Sequence, residues 1–106
     1  LKERRFNMFA LKKVENLKNW KGRAIPNQFI ISEREGNITR QTFQSYETII
    51  AVKVQNDFKS AIYLDCRCWD YSTTTSRYRN QFLGENRKET ERKIKSGEYK
   101  IVDLNK

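Results

Sequence analysis

The chain has 106 residues, which is enough for one domain of ordinary size and too few for two. Its net charge of +9 favours an anionic partner, and the absence of histidine excludes catalysis by Ser–His or Cys–His pairs. No apolar stretch approaches the roughly 18 residues of a membrane helix, so no membrane partner is expected.

The positive charge is concentrated at the two ends of the sequence. Residues 1–24 hold eight Lys or Arg against two Glu, and residues 77–100 hold eight against four acidic residues, whereas residues 25–76 are nearly neutral. Such asymmetry is typical of binding to nucleic acid, an anionic membrane surface or an acidic protein face. The alternative is solubility charge on exposed helices. We expect one domain over residues 1–106, with a basic N-terminal segment at 1–24 and a compact core at 25–106.

The first twenty residues predict an amphipathic helix. Met8, Leu11 and Val14 follow each other at intervals of three, which places them on one helical stripe. The residues close to this stripe are Phe6, Phe9 and Leu17, and those on the other side are Lys12, Lys13, Lys18 and Lys21. Pro26 ends the helix, because the residue before a proline is pushed out of the helical region.

The middle of the chain predicts an antiparallel β-meander. Runs rich in β-branched and aromatic residues are separated by turn signals at residues 35–37 and 55–57. The expected strands cover residues 28–33, 38–44, 46–54 and 61–64. Short connections between these runs favour pairing of strands that are neighbours in the sequence.

The last third of the chain predicts two short helices and a final strand. The helices are expected to begin after Asp70 or Ser72 and after Asn86, and to end at Gly84 and Gly97. Residues 99–102 predict the strand. The expected fold class is α+β, an antiparallel β-meander of about four to five strands with an N-terminal helix and two short C-terminal helices.

The central segment contains two cysteines and two acidic residues of types that occur in chemical sites. Cys66 and Cys68 are interpreted as reduced thiols, which fits a cytoplasm, since a disulfide across one residue is strained and two thiols without histidine do not complete a zinc site. Asp65 and Asp70 are carboxylates of the kind that hold a catalytic metal, but their positions also fit a strand end and a helix cap. We therefore predict no catalytic residue, no metal and no cofactor.

Residues 69–81 are the segment with the densest binding chemistry. They combine aromatic rings, hydroxyl groups and two arginines at a predicted strand-to-helix junction. A helix N-terminus has free N–H groups and a positive dipole end, which suits a phosphate. Arg77 and Arg79 point in different directions from a helix, so we expect one to reach a phosphate while the other stays solvated. The aromatic residues also fit ordinary core packing.

Nine residues are candidates for binding nucleic acid or another partner. The cationic candidates are Lys12, Lys13, Lys18, Lys21, Arg23, Arg77 and Arg79. The candidates for stacking on bases are Trp20 and Tyr71. The basic residues of the second helix alternate with Glu, which favours a solvated, self-paired face there.

Several short motifs resemble a family of small uncharacterised proteins from bacteriophages and mobile elements. The most specific motifs are F-Q-S-Y at residues 43–46 and W-D-Y-S-x-T-T-x-R-Y at residues 69–78. The resemblance covers about residues 21–104. It implies a phage context and a compact β-rich unit with C-terminal helices, and it transfers no catalytic residue. In that context, nucleic-acid-binding accessory proteins and anti-CRISPR-like inhibitors of host defence are both expected.

The leading hypothesis is a non-catalytic basic protein that engages DNA or RNA, or a nucleic-acid-loaded complex such as a host ribonucleoprotein or nuclease. The alternative is an anti-CRISPR-like inhibitor that blocks a host defence nuclease through protein–protein contacts. A structural protein of the virion is a third class, and it would self-associate. We expect the protein in the cytoplasm of a bacterial host, and the sequence leaves its oligomeric state open.

Overall fold

A computed structural model describes residues 11–106, and within that range it contains six strands and two helices. The strands are β1 (Leu11–Lys18), β2 (Ala24–Glu35), β3 (Ile38–Ser45), β4 (Thr48–Gln55), β5 (Ser60–Asp65) and β6 (Tyr99–Val102). The helices are α1 (Thr73–Leu83) and α2 (Arg87–Ser96), which lie between β5 and β6.

The strands form one sheet whose spatial order is the order of the sequence. Neighbours from β1 to β5 pair antiparallel through short connections. β6 pairs parallel with β5, because the chain crosses back through both helices before it enters β6. The β1–β2 loop and the β5–α1 loop therefore lie at one end of the sheet, and the β4–β5 turn lies at the other.

The helices cover one face of the sheet and build the core with it. Phe43, Ala51 and Leu64 are neighbours across β3, β4 and β5 on this face, and all three are fully buried. Phe82 from α1 packs over them, with its ring centroid 5.8 Å from that of Phe43. Tyr99 continues the same cluster at β6. Burial of this apolar surface, at roughly 25 cal/mol per Å², is the main source of stability.

The two C-terminal helices are present where the sequence placed them, and local capping defines their ends. The side chains of Ser72 and Asn86 each accept the N–H three residues further on, at 3.1 and 2.9 Å. Gly84 and Gly97 end the helices with φ angles of 71° and 86°, a conformation that a side chain disfavours. No helix within residues 11–106 is long and apolar enough to cross a membrane.

The predicted N-terminal helix is wrong over residues 11–18, which form β1. Val14 and Leu17 would share a face of a helix, yet Val14 is 57% exposed and Leu17 is 5% exposed and belongs to the core. β1 pairs with β2 from Leu11 to Lys18, and this pairing satisfies backbone groups at the edge of a long strand. Tertiary pairing therefore overrides a weak helical pattern. The predicted stripe also included Phe6, Met8 and Phe9, which lie outside the described residues.

The predicted fold class is wrong in its arrangement as well as in this helix. The sheet has six strands rather than four to five, and within residues 11–106 no helix precedes it. Its last strand is parallel to its neighbour, which a simple meander does not contain. The observed fold is mostly β with two C-terminal helices, and part of the basic N-terminal segment enters the sheet as β1.

Candidate nucleic-acid interface

The β1–β2 loop presents Trp20 on the surface, and hydrogen bonds of Asn19 fix the backbone conformation of this loop. Oδ1 of Asn19 accepts the N–H groups of Lys21 and Arg23 at 2.9 and 3.0 Å, and the backbone of Asn19 bonds to Arg23 and Gly22. Trp20 is 89% exposed, and the ammonium of Lys21 lies 5.0 Å from the centroid of its ring. The loop thus presents an aromatic ring together with a cation.

The junction between β5 and α1 is organised by the carboxylate of Asp70. Oδ1 accepts hydrogen bonds from Ser76 at 2.8 Å and from Arg79 at 3.2 Å, and Oδ2 binds the guanidinium of Arg87 at 2.6 Å. The hydrogen bond from Arg87, helped by those from Ser76 and Arg79, lowers the pKa of Asp70 to about 2 against the opposing effect of burial. At neutral pH the carboxylate is therefore ionised, and it links α1 to the start of α2.

The low pKa of Asp70 makes part of the protein's stability sensitive to acid. The folded-state pKa lies below the unfolded value of about 3.9, so the ionised group stabilises the fold above about pH 4 and this contribution is lost as the pH falls toward about 2. We expect the difference in free energy of unfolding between the wild type and Asp70→Asn to shrink from about pH 7 to about pH 2, measured by urea titration. A difference that stays constant with pH would contradict this role of the charge.

Arg79 supports this junction from inside the protein. Its side chain is 0% exposed, and its guanidinium donates hydrogen bonds to the backbone carbonyl of Trp69 and to Oδ1 of Asn80 in addition to Asp70. It also lies 5.1 Å from the centroid of the Trp69 ring. Of the two arginines at the helix start, Arg77 is exposed as expected, whereas Arg79 is buried rather than solvated. Arg79 holds the junction together and does not face a ligand.

Two concavities meet on the surface at Arg77. The first, the helix cleft, lies over the start of α1 and has a volume of about 620 Å³. The residues that line it include Asp70, Tyr71, Ser72, Thr73, Arg77 and Arg87. The second, the loop groove, lies between the β1–β2 loop and α1 and has a volume of about 490 Å³; the residues that define it are Trp20, Ile25, Pro26, Arg77, Tyr78 and Gln81. Arg77 lines both of them.

A direct contact joins the two basic ends of the sequence at this place. Nε2 of Gln81 in α1 donates a hydrogen bond to the backbone carbonyl of Lys18 at 2.8 Å, across 63 sequence positions. The β1–β2 loop therefore lies beside α1. We call the resulting surface the basic end, and its residues are Lys18, Trp20, Lys21, Arg23, Tyr71 and Arg77.

The cations of the basic end differ from those of α2 in their partners. The basic-end cations that form no salt bridge within residues 11–106 are Lys18, Lys21, Arg23 and Arg77. On α2, by contrast, Arg92 pairs with Glu89, and Lys93 pairs with Glu85 at 2.8 Å. Three of the five cations of α2 are thus paired with acidic residues, whereas none of the four cations of the basic end has such a partner within residues 11–106.

Most of the chain matches one protein family. Residues 10–98 match a family whose description is a family of unknown function, DUF8033. The chain belongs to this family. No curated protein and no solved structure matches the chain. The basic end and both helices of this DUF8033 protein lie inside the matched residues.

Three of the nine predicted binding residues of the DUF8033 chain do not join the basic end. Lys12 and Lys13 stand near the start of β1, about 20 Å along the strand from Lys18 at roughly 3.3 Å per residue. Lys13 also pairs with Glu15 at 3.6 Å. Arg79 is buried below the surface. Of the other six, Trp20 and Arg77 line the loop groove, Tyr71 and Arg77 line the helix cleft, and Lys18, Lys21 and Arg23 lie in or next to the β1–β2 loop.

Arg87 belongs to the site although the sequence did not single it out. It lines the helix cleft and binds Asp70, while it also pairs with Glu91 at 3.6 Å. The neighbouring glutamates of α2 predicted ion pairs within the helix. This accounts for the pair of Arg87 with Glu91 but not for its contact with Asp70. No sequence signal links Arg87 to Asp70, because the two are 17 positions apart and meet only when α2 packs against the junction.

Proposed function

We propose that the protein is a non-catalytic binding protein of phage or mobile-element type that grips the phosphate backbone of nucleic acid in the bacterial cytoplasm. The nucleic acid is free or held in a host effector complex. The observation that carries the proposal is the junction at Arg77, where the helix cleft and the loop groove meet. At this junction Arg77 lies beside the β1–β2 loop, and Lys18, Lys21 and Arg23 lie in or next to that loop. A row of phosphates would complement such a set of cations.

The charges at the basic end are available to an external anion. Lys18, Lys21 and Arg23 have no acidic partner within residues 11–106, so a phosphate that binds there does not have to displace a carboxylate. Hydroxyl groups of Ser72 and Thr73 border the helix cleft, and such groups commonly donate to phosphate oxygens. The surface therefore combines cations that have no acidic partner with hydroxyl groups that donate hydrogen bonds.

Binding to labelled oligonucleotides is expected to weaken steeply with salt. Four phosphate contacts, one for each unpaired cation of the basic end, give a slope of about −3 in a plot of log affinity against log salt for single strands. Affinity should therefore fall by about 50-fold between ~50 and ~200 mM salt, measured by fluorescence anisotropy. Binding that barely responds to salt, or no binding at ~50 mM, would overturn the proposal.

A matched pair of charge reversals locates the contact on the protein. We expect Arg77→Glu to weaken oligonucleotide binding and to reduce the magnitude of the salt slope by about 1, because one phosphate contact is lost. Lys59→Glu makes the same change of charge in the β4–β5 turn, at the opposite end of the sheet, and should leave the slope unchanged. Equal effects of the two variants would show that net charge, and not the basic end, governs binding.

Exposed aromatic rings favour a second candidate, an anti-CRISPR-like inhibitor that blocks a host nuclease through protein contacts. Trp20, Phe58 and Tyr46 are all exposed, and aromatic residues are enriched in protein–protein interfaces. Such an interface depends on a few aromatic or arginine anchors and resists salt. For this candidate, Trp20→Ala or Tyr71→Ala would abolish inhibition of the nuclease, and Lys-to-Glu changes at residues 12 and 13 would matter less. The reverse ranking would exclude it.

A further inference from the structure

The loop groove has the size and lining of a slot for a flat ring. Trp20 and Tyr78 supply aromatic surface, Ile25 and Pro26 supply apolar contact, and the amide of Gln81 lies at its wall. Its volume of about 490 Å³ lies within the range of small-ligand sites. A nucleobase has apolar faces and polar edges, and proteins bind unpaired bases by stacking them on aromatic rings with hydrogen bonds to their edges.

The backbone that carries Trp20 is ordered before any ligand binds. The loop that carries it is closed by the hydrogen bonds of Asn19 and is held against α1 by the bond from Gln81 to Lys18. An indole that is 89% exposed contributes little to the core, so the packing of the fold does not explain it. Because the backbone around the ring is already ordered, stacking a ligand on it has a small entropic cost.

Arg77 places a positive charge where the backbone of such a ligand would pass. Its guanidinium lies 5.8 Å from the centroid of the Tyr78 ring, at the border between the loop groove and the helix cleft. A nucleotide has its phosphate next to its base. A base in the loop groove therefore brings the adjacent phosphate toward Arg77 and the next one toward the helix cleft.

We propose that the loop groove binds one unpaired nucleobase stacked on Trp20, with the adjacent phosphate on Arg77, so that the ligand is single-stranded nucleic acid. This inference rests on the proposed function and narrows its ligand. In a duplex the faces of each base are covered by its neighbours in the stack, and a base is free to stack on a protein ring only after it is flipped out. Duplexes therefore meet the cations of the basic end without stacking a base on Trp20.

The test compares wild type, Trp20→Ala, Trp20→Phe and Phe58→Ala for binding to single strands of about 12 nucleotides and to the matching duplexes. DNA and RNA probes are both used, at a constant salt concentration of ~50 mM. Phe58 is the control, because it is also 89% exposed and lies in the turn at the opposite end of the sheet. Thermal unfolding of each variant verifies that the fold is intact.

We expect Trp20→Ala to weaken single-strand binding by about 5- to 150-fold, which is the usual contribution of one stacked base. Trp20→Phe should retain most of the affinity, and Phe58→Ala should leave it unchanged. Duplex binding should be weaker in the wild type and insensitive to all three changes. Equal affinity for both forms, or single-strand binding that is unaffected by Trp20→Ala, overturns the inference and leaves the proposed function standing. Failure to bind any probe overturns both.

Discussion

Arg79→Ala should lower the free energy of unfolding by about 3–5 kcal/mol, because two acceptors lose their donor at about 1–3 kcal/mol each and the space of a large buried side chain is left empty. The substitution removes a guanidinium that is fully shielded from solvent and leaves the carbonyl of Trp69 and the side chain of Asn80 without their donor. It also removes one of the cations that bind Asp70. Urea titration followed by circular dichroism at neutral pH measures the effect.

The control for this prediction lies two residues away on the same helix. Arg77→Ala makes the same chemical change at an exposed position without a salt bridge within residues 11–106, and it should change the free energy of unfolding by less than about 0.5 kcal/mol. The two variants therefore separate stability from binding, since only Arg77 faces the helix cleft and the loop groove. Equal stability of the two variants would contradict the buried role of Arg79.

Asp65→Ala is expected to lower the free energy of unfolding by about 3 kcal/mol. The buried carboxylate at the end of β5 accepts the N–H of Leu104 at 2.8 Å and those of Arg67 and Cys68 at 3.1 and 3.0 Å. It thereby ties the turn after β5 to the residues after β6. Alanine would leave these three donors without their acceptor, and at the lower end of the usual cost of about 1–3 kcal/mol for each unsatisfied group the loss is about 3 kcal/mol. Urea titration measures the loss.

The contribution of the Asp65 carboxylate to the free energy of unfolding also depends on pH. Burial by itself raises the pKa of Asp65, but the hydrogen bonds from Leu104, Cys68 and Arg67 outweigh it, and the net pKa is lowered. A depressed pKa stabilises the fold above the unfolded value of about 3.9, and this contribution is lost as the pH falls below it. The difference in stability between wild type and Asp65→Asn should therefore shrink from about pH 7 to about pH 3. A difference that grows on acidification would contradict this assignment.

Helix ends could be predicted from the sequence because their causes are local. The cap at Ser72 needs an N–H only three residues away, and Gly97 ends α2 through its own backbone conformation. Neither feature depends on what the helix packs against. The turn signal at residues 35–37 was correct for the same reason, and β2 and β3 meet there.

The first strand could not be predicted in this way, because its cause lies in a second strand and not within the segment itself. Val14 and Leu17 fit a helical stripe when they are considered alone, and only the edge of β2 decides that this segment is a strand. The parallel pairing of β6 with β5 could not be predicted either, because it depends on how the two helices between these strands pack against the sheet. Strand pairing depends on a partner segment outside the strand, and the periodicity of the strand's own residues carries no information about that partner.

The sequence by itself determined the charge of the protein, the residue types available for chemistry and the ends of its helices. The tertiary structure alone decided which of these charges are exposed and which are buried. Arg77 and Arg79 are equivalent by composition, but the fold exposes the first and surrounds the second with Trp69 and Asp70. Trp20 and Arg77 line one groove because antiparallel pairing brings the β1–β2 loop to the end of the sheet where α1 begins.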